Sequence, residues 1–260
     1  MKKTLVTGAN GQLGKCLQDA ISQINTDNYQ FLFLNRTELD ISNKEFVETF
    51  FFTNKIDYCI NCAAFTAVDL AETEADTAFK INADGVKYLA KECAEQKATF
   101  IHISTDYVFD GTNSRPYLPN DKTNPINVYG KSKLEGEKWA TECNPKTIVI
   151  RTSWVYSRYG KNFYTTMLRL MKERDELNIV SDQIGNPTDA NDLAKYILEI
   201  ISLDDDQYGI RHFTGGETMS WFDFAKKIAQ ENRFTTKINP IPTSEYPTPA
   251  KRPMWSVLGD

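Results

Sequence analysis

The sequence predicts an α/β fold, a doubly wound, Rossmann-like parallel sheet followed by a small C-terminal lobe. Two observations carry this. Through residues 1–153, short and nearly all-apolar runs alternate with longer stretches of helical periodicity. The motifs rich in glycine, hydroxyls or tyrosine fall at the ends of the apolar runs, where open α/β sheets hold their ligands. Apolar runs without alternation are what strands need when helices cover both sheet faces.

In chain order, TLVTG reads as the first strand. QLGKCLQDAISQI places Leu13, Leu17, Ile21 and Ile24 on one helical face. FLFLN is a second strand and residues 43–54 a helix. DYCINCAA is a strand, residues 68–96 hold one long helix or two, and ATFIHIST is a strand. Residues 127–142 are helical and KTIVIRTSW is a further strand. Beyond residue 153 the rhythm changes. Helices are expected over 163–176, 190–203 and roughly 220–232, among frequent prolines and glycines. Residues 1–153 are therefore expected to form the sheet domain, and 154–260 a second lobe with some elements returning to the sheet.

The bulk composition narrows the function. A chain of 260 residues with a net charge of −5 is poorly suited to nucleic acid or to an anionic membrane surface. No apolar run approaches the ~20 residues that span a bilayer, and MKKTLVTGAN lacks the apolar stretch of a signal peptide, so a cytoplasmic protein is expected. Five scattered cysteines argue against a disulfide framework. Cys59 and Cys62 form a C-x-x-C inside an apolar run and read as buried structural thiols rather than a redox pair. With only His102 and His212 and no second C-x-x-C, no metal site is expected.

TGANGQLG sets Gly8, Gly11 and Gly14 between the first strand and the first helix. Glycine permits the sharp turn and the close approach of a pyrophosphate, and the helix N-terminus supplies free N–H donors and partial positive charge. Asn10, Gln12 and Leu13 of the same loop belong to this expected cofactor site. The second strand ends in Asn35 and Arg36 where an acidic residue would favour a free ribose hydroxyl. Arg36 suits a 2′-phosphate, which favours NADPH with NADH as the alternative, unless this arginine is simply a solvated surface residue. Asp40 and Ile41 are expected to flank the adenine.

In NVYGKSKLEGEKW, Tyr129 and Lys133 are four residues apart and share one helical face. Ketone reduction needs a proton for the developing alkoxide, and a nearby ammonium would lower a phenol from its ordinary pKa of ~10 to make the transfer easier. Upstream, HISTDYVFDG presents Ser104 and Thr105 at the same sheet edge. A hydroxyl there can polarise a carbonyl, and simple strand-end capping is the competing reading, better suited to Ser104 than to Thr105.

Together the strings TGANGQLG, NCAAFTAVDLAE, STDYVFDG, NVYGKSKLEGE, RTSWVY, DQIGNPT and PTPAKRP resemble the extended short-chain dehydrogenase/reductase family from residue 4 to residue 253. The resemblance implies reduction of a keto-sugar carried on a nucleotide, with Tyr129 donating the proton, Lys133 tuning it and Thr105 orienting the carbonyl. It implies that Ala63, Ala64 and Thr66 form a cofactor-contacting turn after the fourth strand, and that Asn82 belongs to the cofactor site. Asp106 joins Thr105 at the substrate. Trp154 is implied as a wall for sugar or base, unless it packs in the core, Arg252 as a partner for the diphosphate, and Gln183 and Asn186 as readers of sugar hydroxyls. Two departures follow. Relatives usually continue beyond SVLGD with further helices. Some relatives dimerise through a magnesium site built from glutamates, where this chain has Lys15 and Asn191, so a monomer or a different homodimer is expected without that metal. The rivals on the same scaffold are an epimerase or dehydratase, and a non-catalytic subunit like that of methionine adenosyltransferase. The acidic pair that a dehydratase needs is incomplete at Asp106–Tyr107.

Overall fold

The computed structural model describes residues 1–23 and 28–260, so Ile24, expected on the first helical face, lies outside the described residues. Six parallel strands form one sheet: β1 (Lys2–Thr7), β2 (Tyr29–Leu34), β3 (Tyr58–Asn61), β4 (Thr99–Thr105), β5 (Thr147–Thr152) and, late in the chain, β10 (Gly209–His212). Their order is β10-β5-β4-β3-β1-β2. The chain reverses its direction of travel across the sheet between β1 and β3, and a doubly wound sheet opens its ligand crevice at such a point. The turn carrying Ala63 follows this third strand, not a fourth.

Alternation within each buried strand feeds two cores. Val6, Ile60, Ile101 and Ile150 face α1 (Gln12–Ile21) and α8 (Ala190–Ser202). Leu5, Cys59, Phe100 and Val149 face the opposite layer, α2 (Lys44–Thr53), α5 (Gly85–Glu95) and α6 (Val128–Cys143). Period-two side chains on a sheet covered twice explain why the strands read as apolar throughout. Between β3 and α5, α3 (Val68–Ala71) and α4 (Ala75–Phe79) lead into a π-helical turn, Lys80–Asp84, where the sequence pattern suggests one helix or two.

The remaining elements stand over the carboxyl end of the sheet. They comprise β6 (Val155–Tyr156), α7 (Phe163–Glu173), β7 (Glu176–Val180), β8 (Ile184–Gly185), β9 (Thr188–Asp189), β11 (Met219–Ser220), α9 (Trp221–Glu231) and β12 (Lys237–Ile241). Met167, Met171, Leu177, Ile179, Phe224 and Ile228 give them a core of their own. Asn162 caps α7 and Ser220 caps α9, each through a capping box. Among the described residues no helix is long and apolar enough to cross a membrane.

Candidate active site

The first turn of α1 is built to receive an anion. Gly8 has φ +69, and a Cβ there would lie 2.7 Å from the Ala63 nitrogen, so the glycine turn and the turn after β3 press backbone against backbone. A Cβ on Gly14 would lie 2.5 Å from the Gly8 carbonyl oxygen. Gly11, the N-cap of α1, offers no side-chain cap, and the first turn carries no acidic residue. Its amide donors and dipole are left to a ligand, and a dinucleotide pyrophosphate fits this cradle. The side chains of the loop are otherwise engaged. Leu13 is buried in the core, so only its backbone faces the turn. The Gln12 amide donates to the Val155 carbonyl and accepts from Asn162, tying the loop to the second lobe. Asn10 is exposed.

At the end of β2, Asn35 Oδ1 accepts from the backbone and hydroxyl of Thr37 and shapes the turn. Arg36 is 75% exposed and meets Asp40 only through Nε at 3.4 Å, leaving its terminal nitrogens to solvent or to a phosphate. Asp40 braces Ser42, and these bonds with Arg36 outweigh its burial and hold the carboxyl below its ordinary range. Ile41 departs from the expectation. Its side chain is buried against Gly85, because α5 approaches closely there, and so is not exposed at the end of β2.

Ala63 and Ala64 are half-buried beside the glycine turn, and Thr66 is exposed. Asn82 is corrected from ligand contact to brace. Oδ1 accepts from Phe65 N–H at 2.8 Å, and Nδ2 donates to the Phe65 carbonyl and to Ser132 Oγ, both at 3.0 Å. No polar atom of this buried amide is left for a cofactor. It fastens the loop after β3 onto α6.

Helix α6 starts at Asn127, whose side chain accepts from Gly130 N–H at 2.7 Å and donates to the Lys251 carbonyl. Two glycines let the helix lie flush on its neighbours: a Cβ would lie 2.1 Å from the Tyr107 carbonyl oxygen at Gly130, and 2.0 Å from the Asn82 carbonyl oxygen at Gly136. Tyr129 and Lys133 project from this docked face. Tyr129 meets the ring of Tyr107 edge-on at 5.7 Å. Burial pushes its phenol up to about 12, while a hydrogen bond with Thr105 pulls the other way. The expected lowering by Lys133 is not what the geometry provides. Lys133, 2% exposed, donates to the Ile103 carbonyl at 2.6 Å and stands under the helix, where burial pulls its ammonium down to about 8 against the pull of Glu137. Cys62, half-buried rather than fully so, faces it from the turn after β3.

Thr105 donates to Asp106 Oδ1 at 2.9 Å and accepts from Tyr107 N–H. Asp106 is 2% exposed, its Oδ2 has no hydrogen-bond partner among the described residues, and burial, opposed by the bond from Thr105, raises its carboxyl to about 7. Ser104 is not free for a substrate: it donates to Glu137, which also receives both Nε and Nη2 of the buried Arg151.

Beside Tyr107 opens a cavity of about 790 Å³, walled by Asp69, Arg174, Gln183, Trp221, Tyr246 and Arg252 among others. Arg252 reaches it while paired with Asp69 at 2.8 Å. Gln183 donates to Thr243. Trp154, strained at φ +48, lies flat on Trp221 with ring centroids 3.4 Å apart, so Trp221 is the indole presented to the cavity. Asn186 is a second correction. Nδ2 donates to the Glu217 carbonyl and Thr218, and Oδ1 accepts from Leu258 N–H, so this buried amide knots three loops and reads no sugar. Sequence reasoning missed Arg174, hidden in the charged run KERDE, and Trp221, which looks like ordinary helix-face packing. Lys15 stands over the Tyr159 ring and Asn191 bonds Asp189.

The family described as RmlD substrate binding domain matches residues 1–260. A dTDP-4-dehydrorhamnose reductase of Aggregatibacter actinomycetemcomitans is 44% identical over 99% of this chain and 90% of its own length. The crystal structure of a dTDP-4-dehydrorhamnose reductase from Clostridium acetobutylicum superposes with a TM-score of 0.94 at 45% identity, covering 99% of this chain and 90% of that one. The Bacillus anthracis enzyme of the same name, solved in complex with NADP, gives a TM-score of 0.95 at 40% identity, covering 100% and 91%. The glycine cradle, the tyrosine and lysine of α6 and the cavity beside Tyr107 thus sit on a chain that belongs to the dTDP-4-dehydrorhamnose reductase family.

Proposed function

We propose that this chain uses NADPH to reduce the 4-keto group of dTDP-4-dehydro-L-rhamnose to the alcohol of dTDP-L-rhamnose. What supports the reading is that Thr105 ends β4 beside the Tyr129 phenol, that Tyr129 packs on Tyr107 at the wall of the cavity, and that Lys133 follows one turn later on the same helix. When bound, NADPH supplies hydride to the keto carbon. Tyr129, a neutral phenol at physiological pH, gives its proton to the carbonyl oxygen as that oxygen becomes an alkoxide, so the ketone gains one hydride and one proton. Thr105 stands beside the phenol, and its hydroxyl is fixed by donating to Asp106. Lys133 places positive charge beside the transfer and offers donors to the nicotinamide ribose. Arg252 leaves Asp69 for the diphosphate, where a guanidinium fork fits paired oxygens. Five free thiols suit a reducing cytoplasm.

The test is to supply dTDP-4-dehydro-L-rhamnose with NADPH and follow the loss of nicotinamide absorbance. Steady consumption is expected, whereas an enzyme that regenerates its cofactor would show none. Tyr129→Phe should lose at least about a hundredfold in kcat. Full activity in that variant would remove Tyr129 from the chemistry.

A further inference from the structure

We propose that His102 is a positioning residue for Lys133: a buried chain, Thr7–Asn61–His102, fixes the imidazole with its proton on Nε2 and aims that N–H at the lysine amino group. The three residues sit side by side on β1, β3 and β4, where Thr7 pairs in register with Asn61 and Asn61 with His102. Thr7 and His102 are fully buried and Asn61 is 1% exposed. Thr7 directly precedes Gly8 of the phosphate turn, and Asn61 directly precedes the turn that carries Ala63.

The orientation of the Asn61 amide follows from its partners. The backbone N–H of Ala63 lies 3.2 Å from one end, and a backbone N–H only donates, so that end is Oδ1. The same oxygen receives the Thr7 hydroxyl at 2.6 Å. The other end, Nδ2, lies 3.2 Å from His102 Nδ1. An amide nitrogen only donates, so Nδ1 must hold a lone pair. A ring accepting at Nδ1 is neither the imidazolium nor the Nδ1–H tautomer, which leaves the proton on Nε2. Burial, reinforced by the neighbouring lysine charge, also drives the ring toward neutrality.

Nε2 faces Lys133 Nζ at 3.5 Å, while Nζ donates to the Ile103 carbonyl. An ammonium has no lone pair with which to accept the Nε2 hydrogen, and an uncharged amine does. The imidazole therefore favours the uncharged lysine. Glu137, one turn further along α6, favours the ammonium, but its carboxylate is shared with Arg151 from β5 and Ser104 from β4. The remaining titratable neighbour is Cys62, whose thiol burial raises above its ordinary value. His102 thus sets how far into alkaline pH the lysine keeps its charge, and it links that charge to the two turns that receive the dinucleotide.

The inference rests on Lys133 acting in the reaction, yet its structural half can be tested without turnover. Imidazole nitrogen NMR on the native chain, which has two histidines, should show His102 as the Nε2–H tautomer with no titration between about pH 5.5 and 9. An Nδ1–H ring, or a ring titrating near its ordinary value, overturns the proposal. In the kinetic half, Lys133 loses its charge as pH rises through about 8, so kcat/KM should fall above that pH. His102→Leu removes the opposing N–H and should carry that limb upward by about one pH unit. His102→Gln, whose amide can accept from Asn61 and still present N–H, should leave the limb in place. A folded leucine variant with an unmoved limb refutes the proposal, as does a glutamine variant that shifts like leucine. If Tyr129→Phe retains activity, the reaction assignment fails while the tautomer result stands by itself.

Discussion

The dinucleotide side and the cavity side of this molecule are made of different material. The first is backbone: the Gly8–Gly14 turn and the Ala63 turn meet with less than a methyl group between them, and both arise within a few consecutive residues. The second is side chains brought from far apart, Asp69 after β3, Tyr107 after β4, Arg174 after α7, Trp221 opening α9 and Arg252 near the end of the chain. A site made of backbone fails when atoms are added. A site made of side chains fails when they are removed, and its losses stay local.

The largest effect is expected where an atom is added to the first. Gly8→Ala places a Cβ against the Ala63 nitrogen and forces a positive φ on alanine. It should cost about 2 kcal/mol or more, roughly 4–8 °C in Tm, together with NADPH affinity. Thermal unfolding and cofactor titration check this, and an unchanged Tm would show that the two turns are not in contact. A smaller effect is expected on the other side. Arg252→Ala should raise KM for the nucleotide sugar about tenfold to a hundredfold, from the ~1.5–3 kcal/mol of a hydrogen bond to a charged group, and leave NADPH binding alone. Asp69→Asn, which loosens the arginine, should lower that KM. Matched losses of sugar and cofactor affinity in Arg252→Ala would erase the division. The smallest is at Arg36, which is exposed and loosely paired. Arg36→Ala should weaken NADPH about tenfold and NADH hardly at all, and equal changes in both would refute its pairing with a 2′-phosphate.

The same division governs what could be read from the sequence. Apolar runs at strand length, a glycine turn directly after the first of them, and Tyr129 with Lys133 at helical spacing are local patterns, and local patterns survive in a one-dimensional string. The roles of Asn82 and Asn186 are not local. A polar residue in a loop looks equally ready for a ligand or for structural partners, and here two backbone groups and a hydroxyl engage each amide. Ile41 follows Asp40 in sequence, but the close approach of α5 turns it inward. Arg174 lies in a charged run that reads as a solvated helix end, and only the arrangement of α7 over the sheet brings it to the cavity. His102 lies in a strand that reads as apolar, and its partners arrive from strand β3 and helix α6.

Gly130 and Gly136 carry a consequence for the timing of the reaction. Because no side chain separates α6 from the carbonyls of Tyr107 and Asn82, the helix has no slack with which to slide or roll. The phenol on its first turn is seated by that docking against the ring of Tyr107. On the reaction proposed above the acid would therefore stand still, and the Arg252–Asp69 ion pair at the cavity rim would be the part that gives way to a substrate.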